Sequence, residues 1–322
     1  MTSATIEVVV RAAVPVADDV LQVRFARPDD APLPPFTPGA HIDLHLAPGL
    51  VRQYSLCGAV EEERAYTIAV KREAQSRGGS RAVHERLRVG TALAISAPRN
   101  HFPIDLDAAH SVLVAGGIGI TPLLCMARAL QRRGRSFHLH YFARSAAQAA
   151  FLDLLGSPGF REKTTLHLGQ GHGETEASLR EALSRPREGA ELYLCGPRGF
   201  MDRVCAVAAE RGWPKQRVHL EYFSADPPPV SAATDAIQVT LARSGQVLSV
   251  PPGTTIVDAL RGAGVSIDTS CEQGVCGTCV TRVLDGTPDH HDLFLTDEEK
   301  ARGDCMAPCV SRARTPHLVL DL

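Results

Sequence analysis

A chain of 322 residues is too long for one ordinary core and suits two or three domains of about 100 residues each. With 44% hydrophobic and 22% charged residues and a formal net charge of -2, it has the composition of a globular protein and lacks the basic field that would mark a nucleic-acid partner. No apolar run approaches the roughly 18 residues of a membrane span, and the start Met1-Thr2-Ser3-Ala4-Thr5-Ile6-Glu7 lacks the charged and apolar regions of a signal peptide, so neither a membrane nor export is expected and the chain is placed in the cytoplasm.

From Ile6 to about Pro103 the sequence predicts short strands at Val8 to Ala13, Val20 to Ala26, His41 to Leu46, Gln53 to Leu56, Tyr66 to Lys71 and Ala92 to Ser96. They are punctuated by Pro-Gly turns and one helix around Arg81 to Leu87, the pattern of a small antiparallel β-barrel over residues 1–103. At Ser111 the grammar changes. The apolar run Val112 to Ala115 meets a glycine loop and the helical pattern Leu123, Leu124, Met126, Ala127, Leu130. Strands at Phe137 to Phe142, Thr165 to Leu168, Leu192 to Leu194 and Val218 to Glu221 then alternate with helices at Ala146 to Leu155, Ala177 to Ser184 and Gly199 to Arg211. This alternation predicts an α/β domain with a parallel sheet over 104–225. Three consecutive prolines, Pro227 to Pro229, fit neither a helix nor a central strand, so 226–236 reads as a linker. From 237 to 322 come a hairpin of Ile237 to Leu241 with Val247 to Val250, a short helix from about Thr255 to Ala263, and a helix capped by Thr296 with Glu299 in a capping box. His290-His291-Asp292 is read as a solvent-exposed loop, since adjacent histidines point apart.

Five of the nine cysteines crowd into the last sixth of the chain, whereas Cys57, Cys125 and Cys205 read as packing residues. Cys271-Glu272-Gln273-Gly274-Val275-Cys276-Gly277-Thr278-Cys279 with a distant Cys309 is the C-x₄-C-x₂-C…C spacing of a plant-type [2Fe–2S] site. A zinc site is the alternative, but zinc loops pair two CxxC-type knuckles and the triple with one remote ligand does not match. Gly274 and Gly277 let the backbone curl over a cluster, and Cys309 is taken as the fourth ligand with Cys305 as a bystander. On these residues the C-terminal segment resembles a plant-type ferredoxin of α+β, β-grasp fold. The whole chain is similar to the phthalate dioxygenase reductase family, which includes vanillate demethylase reductase subunits and joins an FMN barrel, a nicotinamide domain and a ferredoxin in this order.

Two further motifs fit that arrangement. Arg52-Gln53-Tyr54-Ser55 supplies a cation, an aromatic face and a hydroxyl at a strand end, while Ala69-Val70-Lys71 ends another strand and Gly78-Gly79-Ser80 opens a helix suited to a phosphate. The resemblance implies that these residues, with Thr121 and Phe223, line FMN; read without it, Phe223 is a core residue capping the last strand. Gly116-Gly117-Ile118-Gly119-Ile120-Thr121-Pro122 and Cys195-Gly196-Pro197, before the helix containing Met201, are two strand-end loops, the first able to receive a pyrophosphate, and their resemblance to those of ferredoxin reductase-like enzymes implies that together they hold the pyrophosphate and nicotinamide. Arg144-Ser145 stands where an acidic residue would read the ribose. An arginine there hints at NADP, whereas the resemblance implies NADH. It also implies hydride transfer from NADH to flavin near Thr121, Cys195 and Phe223, single-electron transfer through the cluster, and a terminal Rieske-type non-haem iron oxygenase acting on an aromatic acid or similar molecule as acceptor. A cytochrome P450 as acceptor and a non-catalytic redox sensor are the rival readings.

Overall fold

The structure, a computed structural model, describes residues 5–76, 78–223 and 235–322; positions 1–4 of the expected leaderless start and 224–234, which hold most of the expected linker, lie outside the described residues. The described residues up to Phe223 form one compact unit and those from 235 onward a second.

The first unit begins with β1 (Ile6–Ala17), β2 (Val20–Ala26), β3 (Ala40–Ala47), β4 (Leu50–Ser55) and β5 (Tyr66–Lys71), followed by α1 (Gly79–Arg86), β6 (Ala92–Ile95) and β7 (Arg99–Asn100). Their order is β4-β3-β6-β1-β2-β5, all antiparallel, and a bridge between Leu56 and Ile68 joins the two ends into a barrel. Alternation decides the inside: Val8, Val10, Val23, Phe25, Ile42, Leu44 and Ile68 fill it. His41 and Asp43, interleaved with Ile42 and Leu44 on β3, face the other way. β1 runs longer than the sequence predicts, because bulges at Val10/Ala12 and Pro15/Ala17 let it bend while staying paired to β2.

The unit continues with β8 (His110–Gly116), α2 (Ile120–Arg132), β9 (Phe137–Ala143), α3 (Leu152–Leu155), β10 (Thr164–Leu168), α4 (His172–Ala182), β11 (Ala190–Cys195), α5 (Arg198–Glu210) and β12 (Val218–Glu221). The parallel sheet has the order β10-β9-β8-β11-β12. From β8 the chain builds outward through β9 to β10, then returns to lay β11 on the other side of β8. That reversal makes the carboxyl ends of β8 and β11 a topological switch point, the place where open α/β sheets form a binding crevice. Barrel residues Val20, Cys57, Ala69 and Phe102 share one apolar core with Leu113, Ala115, Ile120 and Leu123 of the α/β layer, so the two sheets pack as one body.

One expected helix is corrected. Of Ala146 to Leu155 only Leu152–Leu155 is helical. The carbonyl of Ala147 accepts from the backbone N–H of Asp18 (2.7 Å), and the N–H of Ala150 donates to the Tyr141 hydroxyl (3.0 Å). Groups that a helix would pair internally are therefore taken by β1's turn and β9.

The second unit holds β13 (Ile237–Leu241), β14 (Val247–Val250), α6 (Ile256–Gly262), β15 (Thr281–Asp285), β16 (Pro288–Asp289), α7 (Asp297–Arg302), β17 (Cys305–Met306), β18 (Arg312–Ala313) and β19 (His317–Leu320). The sheet β14-β13-β19-β15-β17 buries Val239, Leu241, Val250, Leu318 and Leu320 against Ile256 and Leu260 of α6. This is the mixed sheet grasping a helix expected of a ferredoxin. At α7 the Thr296 hydroxyl accepts from the N–H of Glu299 (3.2 Å) while the Glu299 carboxylate accepts from that of Thr296 (2.8 Å), a reciprocal capping box.

Candidate functional site

In the second unit the loop 270–279 lies between α6 and β15, and its cysteine side chains are buried. Gly274 and Gly277 have φ of +71° and +69°. A Cβ on Gly274 would meet Val310 Cγ2 at 2.6 Å, and one on Gly277 would strike the Phe294 ring at 2.2 Å, so only glycine lets the loop close. The N–H of Gln273 donates to Cys271 Sγ (3.3 Å). The thiols stand in two pairs. Cys271 and Cys276 share a hydrogen bond, the largest cause in raising the Cys271 thiol and lowering that of Cys276. Cys279 and Cys309 do the same, with Cys309 raised and Cys279 lowered. Cys271, Cys276 and Cys279 on the curled loop, with Cys309 beside Cys279, are four thiols that would hold a two-iron cluster. Cys305 lies on β17, paired to β15.

His290-His291-Asp292 is corrected from a solvent loop. The side chains of His290 and Asp292 are 9% and 0% exposed, because the backbone N–H of Leu293 donates to the Gly274 carbonyl (2.9 Å) and draws the segment under the cysteine loop.

In the first unit β4 carries Arg52, Tyr54 and Ser55 beside the start of α1. Gly78 (φ +91°) turns the chain into that helix, and a Cβ on Gly79 would meet Arg52 Cγ at 2.5 Å. The guanidinium stem thus lies against the helix's first backbone groups, a cradle with the chemistry of a phosphate site. The Ser80 hydroxyl accepts from the N–H of Glu73 (3.1 Å), Lys71 pairs with Glu73 (2.9 Å), and Ala69 and Val70 are buried in the strand beneath. Tyr54 is shielded, and burial raises its phenol. Phe223 is 37% exposed, which corrects its reading as a core residue and leaves a ring free to cover a planar ligand.

At the sheet's switch point the two glycine loops touch. A Cβ on Gly119 would meet the Cys195 carbonyl oxygen at 2.2 Å, and one on Gly196 would meet Gly116 Cα at 3.1 Å. Gly117 (φ +54°) turns β8 into a short 3-10 segment before α2, on whose first turn Pro122 is buried and the Thr121 hydroxyl donates to the Ile118 carbonyl (3.0 Å). Pro197 caps α5. Arg144 and Ser145 lie at the carboxyl end of β9, where the Ser145 hydroxyl accepts from the N–H of Gln148 (3.3 Å). Met201 is corrected: it sits on the inner face of α5, wholly buried with Val114, Phe142 and Leu194, so its side chain does not line the crevice. Cys195 is also fully buried, and burial raises its thiol well above the ordinary value, so it is a neutral thiol and no nucleophile.

Sequence reasoning missed the group that joins these motifs. Glu221, at the end of β12 and in register with Cys195, accepts a hydrogen bond from the Ser55 hydroxyl (3.3 Å). Burial pushes its carboxyl up to about 8. A lone acid between Leu220 and Tyr222 at the end of an apolar strand was the available signal. His41, the cross-strand neighbour of Ser55, is buried with neither ring nitrogen hydrogen-bonded among the described residues, and burial, then Arg99 and His101, holds it down to about 3.

Residues 239–314 match the 2Fe-2S iron-sulfur cluster binding domain, and residues 96–218 the N-terminal domain of dimethylamine monooxygenase subunit DmmA-like proteins. A vanillate O-demethylase oxidoreductase of Pseudomonas sp. (strain HR199 / DSM 7063) is 48% identical over 98% of this chain and 100% of its own. The solved structure of phthalate dioxygenase reductase, described as modular for electron transfer from pyridine nucleotides to [2Fe–2S], superposes with a TM-score of 0.76 at 38% identity, covering 99% of this chain and 98% of that one. An intact type IV self-sufficient cytochrome P450 monooxygenase matches with a TM-score of 0.86 at 36% identity, where this chain spans 41% of the longer one. The chain belongs to the phthalate dioxygenase reductase family and is a flavin and [2Fe–2S] oxidoreductase that draws its electrons from a pyridine nucleotide.

Proposed function

We propose that the chain oxidises NADH on FMN and passes the electrons singly, through a cluster held by Cys271, Cys276, Cys279 and Cys309, to a terminal Rieske-type non-haem iron oxygenase acting on an aromatic acid or related small molecule. The observation that carries this reading is the meeting of the two glycine loops at the switch point, with Glu221 reaching from the same sheet to Ser55 on the barrel's motif strand. When bound, flavin accepts two electrons as a hydride and gives them up one at a time, the conversion needed between nicotinamide and a one-electron cluster.

The chain's own residues bind and orient. Arg52 and the Gly78 to Ser80 turn would take the FMN phosphate, Tyr54 and Phe223 would bracket the ring, and Ala69 to Lys71 and Thr121 would border it. Gly116, Gly117, Gly119 and the Gly196-Pro197 turn would receive the nucleotide's pyrophosphate on backbone N–H groups, with Pro122 fixing the first turn of α2 and Arg144 and Ser145 at the adenosine end. Cys195, wholly buried, backs the first glycine loop through its carbonyl against Gly119, and Glu221 accepts the hydrogen bond of the Ser55 hydroxyl. The division 1–103, 104–225, linker 226–236 and 237–322 assigns one cofactor to each domain. We place the chain in the cytoplasm as a monomer, where a reducing environment keeps the cluster thiols free to take iron.

Anaerobic titration with NADH, followed by flavin absorbance, electron paramagnetic resonance and mass analysis of the released cofactor, tests the electron path. Flavin bleaching with a reduced [2Fe–2S] signal and FMN as the released species is expected. A flavin-free protein, or a cluster that stays oxidised under NADH, overturns it. The likeness to the self-sufficient P450 favours a second acceptor. Product formation on reconstitution with a P450, and with no Rieske oxygenase, would select that reading.

A further inference from the structure

Asp292 is the most deeply placed acid of the ferredoxin unit outside the cysteines, with no side-chain exposure, and it sits where the two ligand-bearing segments come together. Its Oδ2 accepts from the backbone N–H of Leu295 (2.8 Å), and its Oδ1 accepts from the Ser311 hydroxyl (3.3 Å), two residues after Cys309. Its neighbour Leu293 donates to the Gly274 carbonyl between Cys271 and Cys276, and His291 donates its N–H to Ser311 Oγ (3.2 Å). A Cβ on Gly274 would stand 3.0 Å from Asp292 Cα, so this acid backs the cysteine loop directly. Two basic groups face it: Lys300 Nζ, which donates to the Asp292 carbonyl (2.6 Å) and lies 3.9 Å from Oδ2, and His290 Nδ1 at 3.5 Å from Oδ1.

We propose that Asp292 is a positioning residue for the cluster: its carboxylate ties the Cys309 segment, through Ser311, to the stretch whose Leu293 N–H holds the three-cysteine loop at Gly274, and with Lys300 it sets the charge behind the loop and thereby the ease of reduction. This rests on the reading of the four cysteines as a [2Fe–2S] site. The reduced cluster carries one more negative charge than the oxidised one, so the buried carboxylate of Asp292 disfavours reduction and the half-buried ammonium of Lys300 favours it. Removing one or the other therefore moves the midpoint potential in opposite directions, whereas loss of packing has no such sign.

Redox titration of the intact holoprotein, read by the electron paramagnetic resonance of the cluster, is the test. Asp292→Asn is expected to raise the midpoint potential, increasing the reduced-to-oxidised ratio at a fixed poise by on the order of tenfold. Lys300→Met is expected to lower it, and the double variant to return toward the parent value. Asp292→Ala, which removes the hydrogen bonds to Leu295 and Ser311, is expected to release iron to a chelator about tenfold faster than Asp292→Glu, which keeps the charge. Single variants that leave the potential where it was, or that move it in the same direction, overturn the proposal while the cluster reading stands. A parent protein without a [2Fe–2S] signal overturns both.

Discussion

Among the described residues no cation compensates Glu221, and desolvation raises it to about 8 against the hydrogen bond from Ser55, which pulls it down. A carboxyl raised in the folded state stabilises the fold fully below its ordinary value of 4.5, and that contribution is lost as pH rises through about 8. The melting temperature of the protein should therefore decline across that window, and Glu221→Gln should flatten the decline, a difference on the order of a few kcal/mol between its ends. An unchanged alkaline slope in the variant would show that Glu221 is not the buried acid described. On the acid side His41 and His140, held down to about 3 by burial first, stabilise the fold above the ordinary 6.5, and that contribution is lost as pH falls through about 3. Thermal melts from pH 3 to about 9 read both limbs at once.

The glycine loops are close approaches of one backbone to another. Gly119→Ala forces the β8 loop off the Cys195 carbonyl. It should weaken pyridine-nucleotide binding by roughly tenfold or more, seen as a raised NADH concentration for half-reduction with flavin content unchanged. In the cysteine loop Gly277→Ala places a methyl in the Phe294 ring and a Cβ at φ +69°. Cluster content measured by visible absorbance should fall, and adding Phe294→Ala should restore part of it, leaving the left-handed backbone strain of about 1–2 kcal/mol unrelieved. Full recovery in the double variant would mean that the ring alone set the requirement for glycine. Element types were legible wherever periodicity was local: β2, β5, β12 and the β13–β14 hairpin fall where alternation and turn residues put them, and α7 begins at its Thr296 cap. Ala146 to Leu155 was misread because helix-forming residues say nothing of a carbonyl already taken by Asp18 or an N–H taken by Tyr141.

At the scale of the molecule, the cores of 5–223 and 235–322 are separate clusters with no residue in common. Calorimetry of the holoprotein should resolve two transitions, and removing iron with a chelator should lower the one belonging to the ferredoxin unit while the other holds its position. A single transition that moves as a whole on iron removal would show the two cores to be thermodynamically one. The sequence by itself determined that the last segment is a [2Fe–2S] domain, since the C-x₄-C-x₂-C spacing is carried by one short loop, and it determined the order of barrel, parallel sheet and ferredoxin, since side-chain period changes along the chain. Only the tertiary structure decided that β11 lies beside β8 and so where the sheet's switch point falls. It also decided that Glu221 meets Ser55 across 166 residues, that the four thiols stand in two pairs, and that the His290 to Asp292 segment is buried under the cysteine loop. These depend on which distant groups share a low-dielectric interior and exchange hydrogen bonds there, and no local pattern encodes that.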